Sequence, residues 1–419
     1  MSALAAEAPA AADQRRHLYR NGVALSANAL LSAALGWGFW VLLARRSDPA
    51  TVGAASATVA ALTGLSAVAQ LGLGGLLVVF LPRSGPSAAR LVRAAFAVGV
   101  LTSLALGVAY TLVAGVIAPE LGFRTVAGAA AFAAGVAVWS LFALQDNAYT
   151  GLREAVWVPL ENTVYGAAKL AAVAFAGTLS VGAVVAAWTL PAALLVLPMS
   201  GVLFARLLPR HMRRHRRAAD FTGWRGYLAR DSVSLLLGQL ATATMPVLAV
   251  AQLGAGPAAV FGVTWMLAQA LDLLTVNMGM SLIVEGAHAR GRLRHLHVSL
   301  RRRVLPAVAG AALLLALASP FVLGIFGADY AREGPLVLGL LLAGVVVRAY
   351  TVLEISAARG RRDAGTVLVL QCVAAAVVPA LAWLLAGTAG VAGAGAAYLI
   401  GQVAVAACAL LLSMRRPTA

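Results

Sequence analysis

Residues 363–414 read DAGTVLVLQCVAAAVVPALAWLLAGTAGVAGAGAAYLIGQVAVAACALLLSM, and the fold class turns on how they are understood. After Asp363 no Asp, Glu, Lys, Arg or His follows until Arg415. A helix crosses the hydrocarbon of a bilayer in about 20 apolar residues. The run is too long for one crossing and suits two, near 365–386 and 389–413. A soluble helix keeps a polar face for water; neither of these has one, so lipid is their solvent.

Working outward from that pair, ten more apolar stretches of similar kind precede it. They lie near 22–44, 52–81, 92–118, 125–145, 157–177, 180–204, 233–254, 257–285, 304–326 and 335–358. The expected fold class is therefore an all-α polytopic membrane protein with about twelve transmembrane helices. The second, third and eighth spans are long, which predicts tilt or a break in each. Composition agrees: 61% of residues are hydrophobic and only 11% charged, against about 25% charged in soluble domains. Residues up to about Ala12 read as a polar, Ala-rich tail, and Arg15, Arg16 and Arg20 precede a full span rather than a cleavable signal.

A net charge of +17 raises nucleic-acid binding as a possibility. In a polytopic protein the competing explanation is the positive-inside rule, which demands alternation from loop to loop. With the N-terminus inside, the cytoplasmic segments hold Arg15, Arg16 and Arg20, then Arg83, Arg90 and Arg93, then Arg153. They continue with the group from Arg206 to Arg230, that from Arg290 to Arg303, then Arg359, Arg361, Arg362, Arg415 and Arg416. The opposite side keeps Arg45, Arg46, Arg124 and Arg332. The alternation holds, both termini are placed in the cytoplasm, and no nucleic-acid partner is needed.

The basic stretch 207–231 divides the chain into an N-terminal six-helix bundle, 1–206, and a C-terminal one, 232–419. The halves resemble each other. Gly151-Leu-Arg153-Glu154-Ala155 returns as Gly360-Arg-Arg362-Asp363-Ala364, and Pro49-Ala-Thr-Val-Gly53 as Pro257-Ala-Ala-Val-Phe-Gly262. Val181-Gly-Ala-Val-Val-Ala-Ala-Trp188 returns as Val391-Ala-Gly-Ala-Gly-Ala-Ala-Tyr398. Six spans per half make the repeats parallel, an arrangement typical of transporters with a site between the halves.

Enzyme chemistry finds little support. All six histidines (His17, His211, His215, His288, His295, His297) fall in basic segments and read as part of a positive, lipid-facing surface. No H-E-x-x-H, G-x-S-x-G or paired-carboxylate motif is present. Cys372 and Cys408 lie in apolar runs and form neither a disulfide framework nor a zinc site. The lone lysine, Lys169, follows Gly166-Ala-Ala and makes no phosphate-binding loop. We expect no catalytic residue, no metal and no cofactor. Drive then comes from an ion gradient, the substrate's own gradient or a partner.

Polar residues inside the spans are the informative class, because a charge at mid-bilayer costs several kcal/mol without a partner or cavity. In the fifth span Asn162, Tyr165 and Lys169 share one helical face, flanked by Glu161. Gln269, Asp272 and Thr275 do the same in the eighth. Arg348 sits mid-depth in the tenth, with Gly344 and Thr351 on its face. Thr63, Ser66 and Gln70 line up in the second, and Gln239, Thr242 and Pro246 in the seventh. The structural alternative is hydrogen bonding between helices and an internal ion pair, such as Asp272 with Arg348. Two mid-membrane cations, one per half, suit an anionic group: Arg offers a planar fork and Lys a compact charge. Lys169, Arg348, Asn162, Tyr165 and Gln269 are thus the expected substrate contacts. Asp272 and Glu161 are candidates for ion coupling or pairing. Glu354 lies nearer the cytoplasm, and Gly72-Leu-Gly74-Gly75 suggests a bend or close helix contact.

The chain resembles the oligosaccharide flippases (Wzx-type, or polysaccharide transporters) of the multidrug/oligosaccharidyl-lipid/polysaccharide exporter superfamily. The resemblance runs from the first span to the last. It rests on Asn21, Leu42-Leu-Ala-Arg45-Arg46, Pro49-Ala-Thr-Val-Gly53, Gln70-Leu-Gly-Leu-Gly74 and Leu81-Pro82-Arg83. It continues with Tyr149-Thr-Gly151-Leu-Arg153, Pro320-Phe-Val-Leu-Gly-Ile-Phe-Gly327-Ala-Asp329-Tyr330 and Gly390-Val-Ala-Gly393-Ala-Gly395-Ala-Ala-Tyr398. It implies two six-helix bundles rocking about a central cavity in the cytoplasmic membrane. The implied cargo is a polyprenyl-pyrophosphate-linked oligosaccharide, flipped to the outer leaflet for surface polysaccharide biosynthesis. Glycan polymerase or glycosyltransferase partners are implied as well, and a monomer suffices to enclose the path. Lipid II flippases of the superfamily carry additional helices, which twelve spans do not provide. Three alternatives are weighed against this: a cation-coupled drug antiporter of the same superfamily, a membrane-embedded glycan polymerase or ligase, and a scaffold. The short outer loops speak against the polymerase.

Overall fold

The computed structural model of the chain describes residues 34–117, 125–152, 154, 156–177, 179–215, 224–288, 293–361 and 363–414. The expected N-terminal tail, the start of the first span, and Arg124, Arg153, Arg216, Arg217, Arg290, Arg292, Arg362, Arg415 and Arg416 lie outside the described residues.

Helix makes up most of the described part of every stretch read above as a span. The first, α1, covers 34–46. Asp48 then starts α2 (Pro49–Ala69): its Oδ1 accepts the Thr51 amide at 2.8 Å, and Pro49 brings a preset φ to the first turn. Leu71 (φ 47) and Gly72 (φ 74) turn left-handed and end that helix before α3 (Leu73–Phe80) resumes. The second span therefore breaks. Its Gly74 admits Asn147, whose Nδ2 would lie 2.7 Å from a Cβ placed there. The other two long spans run unbroken, as α4 (Ala88–Ile117) and α10 (Ala255–His288). Between them come α5 (Val126–Gly151), α6 (Trp157–Phe175), α7 (Val181–Val202) and α8 (Leu208–Arg214). Thr125 and Ser180 cap α5 and α7 through their hydroxyls. Pro191 and Pro198 interrupt α7, which passes through a wide π turn, Leu203–Leu207, into α8.

After 224 the order is α9 (Trp224–Leu253), α10, α11 (Leu293–Leu317), α12 (Ser319–Gly324), α13 (Ala328–Gly360) and α14 (Ala364–Met414). Non-helical backbone at Ala389 and Gly390 (φ 65) splits α14 into two arms, where two separate spans were expected. Among the described residues, seven helical stretches are long and apolar enough to cross a membrane.

The repeat seen in the sequence has a backbone counterpart. At the end of α5 the Leu152 amide donates to Ala148 O (3.0 Å) and Glu154 to Tyr149 O (2.9 Å). At the end of α13 the Arg361 amide donates to Ala357 O (3.0 Å) and Asp363 to Ala358 O (2.9 Å). Each group in the second turn follows its counterpart by 209 residues. Gly53 and Gly262 stand at the same spacing and both sit where α2 packs on α10. A Cβ on Gly53 would fall 1.8 Å from Ala255 O, and one on Gly262 would fall 2.3 Å from Ser56 Oγ. Side-chain-free surfaces let the two backbones meet.

The core is unevenly joined along the membrane direction. Near the turns at 47–48, 254, 325–327 and 389–390, one cluster mixes residues from before and after the basic linker, including Phe39, Leu43, Val52, Val250, Phe261, Leu323 and Tyr398. Near the opposite turns the clusters separate. Leu77, Leu81, Val92, Leu144 and Leu203 form one, all from before the linker, and Ala241, Leu370 and Val405 another, all from after it.

Candidate functional site

The α6 stripe faces protein. Lys169 is 6% exposed, and its Nζ lies 3.8 Å from the ring centre of Trp188, 5.0 Å from Tyr165 and 5.4 Å from Phe39. Helices α1, α6 and α7 each supply one wall of this aromatic box. Rings present negative charge on their faces, and desolvated contacts of this kind contribute about 2 kcal/mol. Tyr165 is fixed by donating its hydroxyl to Trp188 O at 3.2 Å. Asn162 Nδ2 points to Asp146 Oδ2 of α5, at 3.5 Å. Glu161 is 1% exposed, and neither carboxylate oxygen has a hydrogen-bond partner among the described residues. Asp146 is near enough to act on it electrostatically. The stripe thus divides into an aromatic lysine box and a buried acidic pair.

The second cation behaves differently. Arg348 of α13 donates from Nε to both oxygens of Asp272 in α10, at 3.1 and 3.0 Å. The pair weighed in the sequence is formed. Arg348 also lines a cavity of about 240 Å³ between α9, α13 and α14. Gln239, Thr242, Thr351, Ser356, Arg359, Gln371 and Gln402 share that lining. Thr351 Oγ1 and Gln402 Nε2 are buried there without hydrogen-bond partners among the described residues. Buried polar atoms are paired in the great majority of cases, so these two invite a ligand or ordered water.

The expected substrate contacts are therefore dispersed. Arg348 lines the polar cavity; Lys169, Asn162, Tyr165 and Gln269 do not. Gln269 is half-buried in α10, its Oε1 unpaired. The stripes of Gln239 with Thr242 and of Arg348 with Thr351 do converge. Gln371 and Gln402 were overlooked, although each is an amide inside an apolar run and the same audit would have found it. Asp146 was missed because the fourth span was ended at 145. One histidine is corrected: His297 lies against Glu354 (Nε2 to Oε1 3.3 Å), with Arg301 at 3.7 Å, and not on a lipid-facing surface. The Glu354 carboxylate holds both side chains inward.

No known family profile and no curated protein matches the chain. Solved structures do. An inward-facing multidrug-resistance transporter of the MATE family, in the MOP superfamily, aligns over 92% of this chain and 94% of its own, with a TM-score of 0.67 at 17% identity. An outward-facing MATE-family structure gives 0.61 at 15%, covering 94% of both chains. The lipid II flippase MurJ, inward closed, gives 0.69 at 10%, over 94% of this chain and 87% of its own. These neighbours are transporters, not enzymes. The chain is a multi-pass membrane protein with the fold of the MOP-superfamily transporters.

Proposed function

We propose that the protein is a flippase that moves a polyprenyl-pyrophosphate-linked oligosaccharide to the outer leaflet by alternating access. The observation that carries this is the Arg348 cavity. Two arginines and three amides line it, and Gln402 Nε2 and Thr351 Oγ1 are buried there without partners among the described residues. An anion with many hydroxyl groups suits such a lining of guanidinium, amide and hydroxyl groups. Asp272 engages Arg348 through Nε, the inner nitrogen, and the terminal nitrogens are the natural fork for phosphate oxygens.

In this reading the chain forms two six-helix halves, 1–206 and 232–419, with both termini cytoplasmic and twelve spans. The turns at 47–48, 254, 325–327 and 389–390 then lie outside. There the core unites the halves, and on the inner side the clusters separate. On this reading the described conformer is closed on the outer side. Lys169, held in its aromatic box, leaves the cargo assignment and becomes structural. With Asp272 occupied by Arg348, the buried pair Glu161 and Asp146 is the stronger candidate for ion coupling. That pair is also what favours a cation-coupled antiporter as the second reading.

The test is native mass spectrometry of the gently extracted protein beside the double variant Arg348→Gln/Asp272→Asn. The double change removes both charges and leaves neither ion stranded. A bound species carrying isoprenoid and sugar masses in the wild type, lost in the variant, is the expected result. A glycolipid bound equally by both proteins would sink the role of Arg348, and cation-driven efflux would become the next assay.

A further inference from the structure

A second cavity, of about 450 Å³, lies between α5 and α7 with Thr58 of α2 in its lining. It extends from Gly128 and Gly182, near the turns that begin these helices, to Val138 and Ala193. Its chemistry is the reverse of the Arg348 cavity. The side chains are apolar and mostly small, and the only hydroxyls are those of Thr58 and Thr189. Both already donate within their own helices, to Ala54 O (2.8 Å) and Val185 O (2.9 Å). A polar ligand would lose its water here and gain nothing in return.

Position narrows the occupant further. Leu190 at the rim is 60% exposed, and Leu194 and Leu197 continue the bare apolar surface of α7. Both α5 and α7 are among the helical stretches apolar enough to span a membrane. A groove opening on such a surface meets hydrocarbon, the only solvent at that depth. From Gly128 to Val138 the helix rises about 15 Å. Spread over that length, the volume corresponds to a cross-section of about 30 Å². A straight hydrocarbon chain packed at carbon contact distance fills about 16–20 Å². The groove is wide enough for a chain carrying methyl branches.

We propose that the groove between α5 and α7 binds the isoprenoid chain of the cargo on the side where it is released. The assignment rests on the glycolipid-flippase reading, and the two can fail separately. The experiment photolabels reconstituted protein with a diazirine-bearing isoprenyl diphosphate and, in parallel, with a diazirine-bearing phosphatidylcholine. Inorganic pyrophosphate binding is measured on the same preparations. Ala134→Trp and Ala186→Trp fill the groove from exposed or half-buried lining positions, and Leu194→Trp adds the same bulk outside it.

The isoprenyl probe should label residues 128–138 and 181–193 at least tenfold more strongly than the phospholipid probe. Labelling should fall at least tenfold in either groove variant and stay unchanged in Leu194→Trp. Unaltered pyrophosphate binding then certifies that the variants fold. Equal labelling by phosphatidylcholine, or isoprenyl labelling indifferent to the filled groove, overturns the proposal while pyrophosphate binding persists. Absence of Arg348-dependent pyrophosphate binding in the wild type overturns the cargo reading beneath it.

Discussion

Gly53→Ala tests whether the contact of α2 with α10 holds one end of the molecule shut, as the proposed mechanism requires. The new methyl would stand 1.8 Å from Ala255 O and 2.9 Å from Ala259 N. Carbon and carbonyl oxygen do not approach closer than about 3.3 Å, so α2 and α10 must part by about 1.5 Å at that point. Overpacking of a close interface costs about 1–3 kcal/mol. The cost falls on the conformer in which these helices touch and spares one in which they are apart. The balance therefore shifts about 5- to 150-fold toward the open conformer. The assay replaces Cys372 and Cys408 by Ala, places a thiol at half-buried Ser56 beside Gly262, and measures its reaction with a membrane-impermeant maleimide in whole cells. We expect Gly53→Ala to raise the labelling rate about tenfold or more. Gly256→Ala, where a Cβ meets nothing within 4 Å, should leave it unchanged. An unchanged rate in a Gly53→Ala protein that accumulates normally would refute the idea that this packing closes the outer side.

Three further outcomes follow from the geometry. Trp188→Ala removes the nearest wall of the lysine box and should destabilise the protein by about 3–5 kcal/mol. On the cation–π account Lys169→Met should melt well above Lys169→Glu in detergent, and equal melting would discard that account. Asp272→Ala strands the Arg348 guanidinium and should cost about 3–5 kcal/mol, with Asp272→Asn/Arg348→Gln nearer wild type than either single change; strict additivity in that cycle would mean the two do not interact. Asp48 caps α2, and the Thr51 amide and hydroxyl hold its carboxyl below the usual range. A depressed folded pKa means stability that is present above the unfolded value and lost as pH falls through the folded one. Wild type and Asp48→Ala should therefore differ by about 1 kcal/mol at neutral pH and converge in acid, as thermal melts across that range would reveal.

Much of the architecture was legible because lipid leaves few options. An uncharged run such as 364–414 has no other solvent, and the turns at Ala389–Gly390 and Gly254 fall where the apolar runs are interrupted. Backbone detail was less accessible. Length predicts tilt or a break in three spans; the second breaks at Leu71–Gly72, while α4 and α10, equally long, run unbroken. Length permits a break; left-handed residues enforce one. At the candidate site the limit was rotational. Stripes at i, i+3 and i+7 state which residues share a face, not what that face meets. Arg348 and Lys169 looked alike in sequence, yet one meets a carboxylate and a polar cavity and the other three aromatic rings. Trp188 and Phe39 lie 19 and 130 positions away from Lys169, and nothing local announces that they will enclose it.

Arg45 and Arg46 show how a charge that defies a topological rule is explained by local chemistry. In the topology proposed above both stand on the side where the positive-inside rule allows few cations. Arg46 spans the end of α6, donating to Val173 O (2.7 Å), Ala174 O (2.6 Å) and Ala176 O (2.9 Å). Carbonyls at a helix C-terminus lack amide partners and carry partial negative charge, so a guanidinium is well placed there. Arg45 makes a single bond from Nε to Ile325 O, 2.7 Å away at the end of α12 and across the basic linker in sequence. Neighbours in sequence thus do opposite work. Among the described residues three bonds tie α1 to the end of α6, and one ties it to the end of α12. On the alternating-access reading proposed above, parting of the helices at this end breaks the Arg45 bond and spares those of Arg46. A bond to a charged group contributes about 1.5–3 kcal/mol at most, and less where water competes. On the same reading that is small enough to release in each cycle and large enough to bias which side stays closed.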